Sequence, residues 1–232
     1  MAKSAVLTLF KRVKAQKRAV LTEVEAKQVL DSYGIPTTKG ILVNKKEDAI
    51  KAAQKIGFPV VMKVVSPEIV HKTEAKAVAV GLKTVEEVAQ AFETLQKNAR
   101  AYKKGAKIHG VLIQEMASGK EVIIGAIKDV QFGPTVMFGI GGVLVEIMKD
   151  VTFRVAPISK LDAQEMLHEL KGYKILQGVR GQKPINESAI LNILLKVSQL
   201  VSENPQIKEL DINPLFVNEK EAKAADARII LE

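Results

Sequence analysis

The strongest constraint on the fold of this sequence is an alternation of helix and strand patterns in its N-terminal half. Thr22 and Glu25 form a capping box at the start of a predicted helix, which Gly34 ends. A second helix is predicted over 46–56, and a run of mostly β-branched residues over 60–65 predicts a strand directly after it. Because the apolar pattern switches between the helical and the extended type, it indicates helices packed on sheets.

The C-terminal half begins with strand patterns rather than with a helix. Glycines at 105 and 110 mark the boundary before it. Short apolar segments separated by turn residues then predict antiparallel strands, and helix patterns return after Ser159 and over 188–203. We therefore expect two interlocked α+β lobes, with a basic helical segment, an N-terminal lobe and a C-terminal lobe at residues 1–20, 21–109 and 110–232.

The charge and composition argue against a nucleic-acid arm, a disulfide-bonded protein and a membrane-spanning protein. The 232 residues carry a formal net charge of +9, but residues 1–20 hold six basic side chains and no acid. Because Val6, Phe10 and Val13 recur there at helical spacing, we expect a helix that docks on the body or on a partner rather than a nucleic-acid arm. The absence of cysteine excludes disulfides and thiolate chemistry and fits the cytoplasm. No apolar run reaches the ~18 residues that cross a membrane.

A predicted hairpin near the C-terminus brings two oxygen-bearing side chains together. A polar turn is predicted over Glu219–Lys223, and positions 213 and 226 lie symmetrically about 219.5, the centre of the hairpin. Asn213 and Asp226 should therefore face each other at ~5 Å between Cβ atoms, close enough to share Mg²⁺. The alternative is that Asn213 only begins a strand and Asp226 only solvates a loop.

Two further features could bind phosphate. Lys63 lies within an apolar strand, where its ammonium could meet a phosphate or could protect an edge strand from aggregation. The stretch 138–143 contains Gly139, Gly141 and Gly142, whose backbone N–H groups could approach a phosphate closely. Most short glycine runs are merely turns.

Two other side chains are candidates for chemistry on the transferred group. Arg154, in a predicted strand, could clamp an oxyanion or could pair with an acid. His71 lies in a polar loop after the Lys63 strand, and a neutral imidazole is a good phosphoryl acceptor near neutral pH. The alternative for His71 is a solvated loop residue.

Four segments, in this order and spacing, resemble the ATP-grasp fold: 59–63, 66–76, 114–121 and 209–215. The likeness runs from about residue 20 to the end of the chain, and more narrowly the chain resembles the β subunits of ADP-forming acetyl-CoA synthetases, relatives of the succinyl-CoA synthetase β chain. This resemblance implies two α/β lobes with a nucleotide cleft between them.

The resemblance also implies a role for each matching residue. Lys63 would contact the phosphates of ATP or ADP, and Glu121 would bind the ribose. Glu115 and the backbone of Met116 and Ala117 would hold adenine. Asn213 and Asp226 would bind Mg²⁺. Gly139, Gly141, Gly142 and Arg154 would lie near the transferred phosphate. His71 would relay the phosphoryl group.

A partner follows from the same resemblance. In this family a separate α subunit carries the CoA-binding and phosphohistidine domains, usually in an α₂β₂ heterotetramer. The assembly would convert acetyl-CoA, ADP and phosphate to acetate, CoA and ATP. Relatives with short separate chains include heat-loving archaea, which agrees with the absence of cysteine and the abundance of Lys and Glu.

Two alternatives stay open. The chain could serve a different carboxylate or acyl-CoA, or be the detached lobe of a fused acyltransferase. In another class, the +9 charge could belong to a basic nucleic-acid-binding or structural protein. The main interpretation has neither nucleic acid nor membrane as a partner.

Overall fold

The computed structural model describes residues 2–69, 71–142, 149–179 and 181–232. The elements in these ranges are, in chain order, α1 (Ala2–Ala15), α2 (Glu23–Ser32), β1 (Gly40–Val43), α3 (Lys46–Ile56), β2 (Val60–Val65), β3 (Val78–Leu82), α4 (Val85–Tyr102), β4 (Gly110–Glu115), β5 (Lys120–Asp129), β6 (Gly133–Ile140), β7 (Val151–Val155), α5 (Lys160–His168), α6 (Tyr173–Leu176), α7 (Glu187–Glu203), β8 (Ile207–Val217), β9 (Ala222–Ala224) and β10 (Ala227–Leu231).

The chain forms two compact units. The smaller one is Thr38–Met116, and the larger one joins Met1–Thr37 to Ala117–Glu232. In the smaller unit the strands pair in the order β1-β4-β2-β3, and every described pair is antiparallel. Val60, Met62 and Val64 of β2 pack with buried residues of α3 and α4. The intervening β2 residues therefore lie on the opposite face of this sheet.

The larger unit contains a sheet in the order β10-β8-β5-β6-β7, with β9 also paired to β8. Alternate residues of the central strands, such as Val122, Ile124 and Phe138, form one core with α1, α2, α5 and α7. Side chains between them in sequence, including Glu121 and Asp211, lie on the other face because successive side chains of a strand alternate. The candidate residues of this unit are found mainly on that second face.

The observed division differs from the boundaries that the sequence predicts. Helix α2 belongs to the larger unit, because Val29 and Leu30 are buried in its core. Strand β4 belongs to the smaller unit, because it pairs with β1 and β2. Local patterns predict α2 and β4 as elements but do not show which core each of them joins.

The basic N-terminal helix docks on the body of the protein, as its periodicity predicts. Val6, Phe10 and Val13 of α1 are at most 2% exposed. Arg18, just after α1, binds the Glu25 carboxylate at 2.8 Å, so part of the basic charge is neutralised within the chain. None of the helices in the described ranges is long and apolar enough to span a membrane.

Replacing Phe10 by alanine should lower the free energy of unfolding by about 3–5 kcal/mol, because a buried aromatic ring is replaced by a cavity. Phe10 is 2% exposed within the larger core. Urea denaturation followed by circular dichroism measures the change. Lys11→Ala, on the exposed side of the same helix, is the matched control and should change the unfolding free energy little. Equal stability of the two variants would contradict the docking of α1.

Candidate functional site

The C-terminal hairpin pairs Asn213 with Asp226, as the sequence predicts. Residues 215–217 pair with 222–224, and 209–212 pair with 227–230, in one common register. That register places Asn213 opposite Asp226. The backbone N–H of Asn213 donates a hydrogen bond to the backbone carbonyl O of Asp226 at 3.3 Å. The turn is shorter than predicted, because β9 occupies part of it.

Three carboxylates lie at and around this pair, those of Glu209, Asp211 and Asp226, and we call them the acidic cluster; Arg228 forms an ion pair with Glu209 at 3.7 Å. Asp211 lies two residues before Asn213 and therefore on the same face of β8. Burial raises the pKa of Asp211; Arg228 lowers it, while Asp226 and Glu209 raise it further. The carboxylates thus repel one another, and a bound cation would relieve this repulsion. Sequence reasoning missed Asp211, although the i, i+2 spacing to Asn213 was the available signal.

The donor set at this position fits a magnesium ion that is shared with a ligand. Asn213 and Asp226 supply hard oxygen donors, and Asp226 Oδ1 also accepts a hydrogen bond from the Ala227 amide N at 2.8 Å. In the described ranges, no group of three His, Cys, Asp or Glu side chains is placed to hold a metal by itself. Mg²⁺ commonly binds through one or two carboxylates and completes its shell with water and phosphate oxygens. The residues therefore fit a phosphate-bound cation better than an all-protein cage.

Two of the predicted glycines lie beside Glu121. The Gly141 amide N donates to the Glu121 carbonyl O at 2.8 Å, and a Cβ on Gly141 would lie 3.0 Å from the Glu121 carbonyl carbon. Gly142 has a φ of +69°, and a Cβ there would lie 3.7 Å from Glu121 Oε2. The fold thus brings the predicted ribose-binding carboxylate and the glycine-rich stretch together.

Gly139, unlike Gly141 and Gly142, is needed for the packing of neighbouring strands. It lies within β6, between Ile123 of β5 and Val151 of β7. A Cβ on Gly139 would lie 2.7 Å from Val151 Cγ1, so the glycine is required by strand packing. Val143, the last residue of the predicted stretch, lies outside the described residues.

Gly141→Ala should weaken nucleotide binding about tenfold, a loss of roughly 1.4 kcal/mol. The new methyl group would press on the Glu121 backbone and displace its carboxylate from the sheet face. Calorimetric titration of the chain with ADP and Mg²⁺ measures the affinity. Lys104→Ala is the control, because Lys104 is exposed and lies in the other unit. If Gly141→Ala binds ADP with the wild-type affinity, Gly141 is not part of the nucleotide site.

Lys63 is buried in the middle of a sheet. Strand β2 lies between β4 and β3, and Lys63 is 6% exposed, which removes the edge-strand alternative. Its side chain lies on the face opposite α3 and α4, with Gln114 of β4 as a diagonal neighbour on that face. A buried ammonium at this position is suited to an anionic ligand.

The segment Glu115–Ala117 crosses the boundary between the two compact units. Glu115 Oε1 accepts a hydrogen bond from the Lys39 amide N at 2.8 Å, and the Glu115 amide N donates to the Lys39 carbonyl O at 3.0 Å. The carboxylate thus fixes the end of β4 against the start of β1. Met116, the next residue, is 40% exposed.

His71 lies in an exposed turn after β2. Its side chain is 65% exposed, and Nδ1 lies 3.8 Å from Glu74 Oε1. The Ala75 amide N donates to the His71 carbonyl O at 3.1 Å, and Ile69 and Ala75 on either side of the turn are buried. The turn therefore presents the imidazole to solvent on an anchored base.

The structure does not bring Arg154 together with these residues. Its guanidinium binds the carboxylates of Glu169 at 2.5 Å and Glu165 at 3.4 Å, in and just after α5. These contacts, with the hydrogen bond to Glu169 first among them, raise the pKa of Arg154. The sequence left two interpretations of Arg154 open, a clamp for an oxyanion and an ion pair with an acidic residue. The structure supports the ion pair.

Comparisons with known proteins agree with this geometry. The profile of the ATP-grasp domain family matches residues 12–231. The β subunit of acetate–CoA ligase [ADP-forming] I from Pyrococcus furiosus is 51% identical over 224 residues, which cover 96% of each chain.

Two solved structures of Ca. Korarchaeum cryptofilum dinucleotide-forming acetyl-coenzyme A synthetase 1 are also similar. The complex with coenzyme A, Ca-AMPCP and HgCl+ is 46% identical, with a TM-score of 0.95 and coverage of 97% of this chain and 99% of that chain. The complex with coenzyme A and Mg-AMPPCP, with its phosphohistidine segment pointing towards the nucleotide binding site, is 44% identical. Its TM-score is 0.86, with coverage of 98% and 100%.

Proposed function

Because the chain belongs to the ATP-grasp family, we propose that it is the nucleotide-binding β subunit of an ADP-forming acetate–CoA ligase. The enzyme converts acetyl-CoA, ADP and phosphate to acetate, CoA and ATP. The observation that carries the proposal is the match at 51% identity over 96% of both chains to such a subunit. The Asn213–Asp226 pair supports it independently, because it supplies the oxygen donors that a magnesium nucleotide needs.

Separate groups of residues contact the base, the sugar and the phosphates of the nucleotide. Glu115 and the backbone of Met116 and Ala117 hold adenine, and Glu121 binds the ribose hydroxyls. The Lys63 ammonium neutralises phosphate oxygens. Asn213 and Asp226 hold Mg²⁺, which when bound neutralises charge on the phosphate oxygens of the transition state. These nucleotide-binding residues therefore act by positioning and charge neutralisation.

His71 relays the phosphoryl group. A nitrogen of His71 attacks the phosphorus of a phosphohistidine on the partner, so that the partner's N–P bond breaks as the His71 N–P bond forms. A terminal oxygen of ADP then attacks the same phosphorus, the His71 N–P bond breaks, and ATP leaves. The exposure of the imidazole supports this role, because a relay group must be reachable from outside the chain.

The partner is an α subunit, and the acyl chemistry takes place there. It carries the CoA-binding and phosphohistidine domains, and the assembly is α₂β₂. The phosphohistidine segment in the similar Korarchaeum structure supports such a donor, because it points towards the nucleotide binding site of that protein.

Reconstitution tests the proposed function. The purified chain is mixed with its α subunit, acetyl-CoA, ADP, phosphate and Mg²⁺, and ATP is measured with a coupled assay. ATP should form only when both subunits are present. Parallel assays with other acyl-CoA thioesters test the substrate class. A stable complex of the two subunits that makes no ATP from any acyl-CoA would contradict the proposal.

A further inference from the structure

The six-stranded sheet of the larger unit carries exposed apolar side chains on the face opposite its helices. Ile127 of β5 is 52% exposed, and Phe153 and Val155 of β7 are 50% and 49% exposed. Val130 and Phe132, in the turn between β5 and β6, are 99% and 67% exposed. We call these five residues the hydrophobic strip. Apolar residues grouped in this way on a surface commonly mark an interaction site.

Strand β7 has an inverted distribution of polar and apolar side chains. The polar side chains of this strand face the helices: Thr152 Oγ1 donates to the Met166 carbonyl O at 3.0 Å, and Arg154 binds Glu169. The apolar side chains Phe153 and Val155 consequently face outward. This is the reverse of the usual pattern for a sheet with one solvated face, so the outer face of β7 is suited to being covered.

Hydrogen bonds within the chain define the conformation of the strip. The Asp129 carboxylate accepts hydrogen bonds through Oδ1 from the amide N atoms of Gln131 and Phe132, at 2.8 and 2.9 Å. These contacts fix the turn that displays Val130 and Phe132. The strands beneath are paired in register through β5, β6 and β7. A preformed surface of this kind avoids much of the ordering cost of binding.

The strip is continuous with the acidic cluster. Asp211 pairs with Gly125, Gly125 with Met137, and Met137 with Phe153, which forms one row across the sheet. The next row on the same face runs from Glu209 through Ile127 to Val155. Rows on one face are about 7 Å apart. A cavity of about 240 Å³ is lined by Ile127 and Phe153 of the strip together with Glu209 and Asp211, so the strip begins beside Asp211.

We propose that the hydrophobic strip is the docking surface for the part of the α subunit that delivers the phosphoryl group. This inference rests on the proposed function. The delivered phosphorus must come within bonding distance of a nucleotide whose phosphates lie at the Asn213–Asp226 pair. Ile127 of the strip pairs with Glu209, which lies two rows from Asn213 along the same strand. Beside the strip, Arg228 forms an ion pair with Glu209 at 3.7 Å and lies opposite Asp211, so this edge carries both charges. An apolar strip with a mixed polar edge is suited to a protein partner with an apolar patch and a polar rim.

The test is a double variant, Ile127→Lys with Phe153→Lys, measured by calorimetry against the purified α subunit. Two charges in the centre of an apolar contact should weaken binding of the α subunit about 30-fold or more. Affinity for ADP with Mg²⁺ should stay at the wild-type value, because neither residue belongs to the nucleotide site. Leu161→Lys is the matched control: Leu161 is 63% exposed in the same unit but lies in α5, on the other face of the sheet.

The double variant Ile127→Ala with Phe153→Ala, which introduces no charge, repeats the measurement if the lysine variant does not fold. Wild-type affinity of a folded double variant for the α subunit would overturn the inference. A wild-type chain that binds neither ADP nor the α subunit would overturn the proposed function instead. If sedimentation shows that the wild-type chain alone is a dimer which the lysine variant dissociates, the strip belongs to a second copy and the inference is wrong.

Discussion

Asp226→Asn should weaken the binding of ADP in the presence of Mg²⁺ about 100-fold or more. The change removes one negative charge but keeps the size of the side chain and an Oδ1 that can accept the hydrogen bond from the Ala227 amide N. Loss of even an outer partner of a metal site costs about 10- to 100-fold in affinity, and Asp226 is proposed as a direct ligand. Isothermal titration calorimetry of the chain alone, with and without Mg²⁺, measures the effect.

The Mg²⁺ dependence separates a metal ligand from a residue that only supports the hairpin. Without Mg²⁺, Asp226→Asn should bind ADP no more weakly than wild type, because the carboxylate that is removed would otherwise repel the phosphates. Asp48→Asn, an exposed carboxylate in the first turn of α3, serves as the matched control and should behave as wild type. An Asp226→Asn chain that keeps the full Mg²⁺ enhancement would contradict the assignment of the metal to this pair.

His71→Ala should slow ATP formation by the reconstituted enzyme about 1,000-fold or more, because it removes the nucleophile of the relay. The free energy of unfolding and the affinity for ADP should not change. The His71 side chain is 65% exposed, and its Nδ1 lies 3.8 Å from Glu74 Oε1, a contact between two exposed side chains. The coupled ATP assay and calorimetry together measure the two effects.

A second exposed histidine provides the comparison. His168, at the end of α5, contacts the ring of Tyr173 at 4.7 Å between centroids and lies in the larger unit. His168→Ala should leave ATP formation near the wild-type rate. If His71→Ala also turns over normally, the phosphoryl group passes directly from the partner to ADP and His71 is not a relay.

The sequence predicts the hairpin correctly because its information is local. In an antiparallel hairpin with a short connection, the partner of each residue follows from its distance to the turn. The common register of β8 with β9 and β10 extends this symmetry as far as Asn213 and Asp226. The turn itself was harder to predict, since Ala222–Ala224 extend the ladder towards it.

The residues whose placement was not predicted depend on contacts distant in sequence. The central position of β2, and hence of Lys63, follows from pairing with β4, whose residue Leu112 lies opposite it. The orientation of Arg154 follows from the helix that covers one face of β7. Neither fact is contained in the periodicity of the strand itself. The same holds for Phe153, whose outward position is visible only once the helix-covered face is known.

A single-turnover transfer experiment tests the central claim most directly. The α subunit is first phosphorylated on its histidine with acetyl-CoA and ³²P-labelled phosphate, separated from free nucleotide, and then mixed with the chain, ADP and Mg²⁺. The account predicts that label leaves the α subunit and appears in ATP only when this chain and Mg²⁺ are both present. Transfer of label to ADP at the same rate without this chain, or retention of all label on the α subunit within a complex of both, would contradict it.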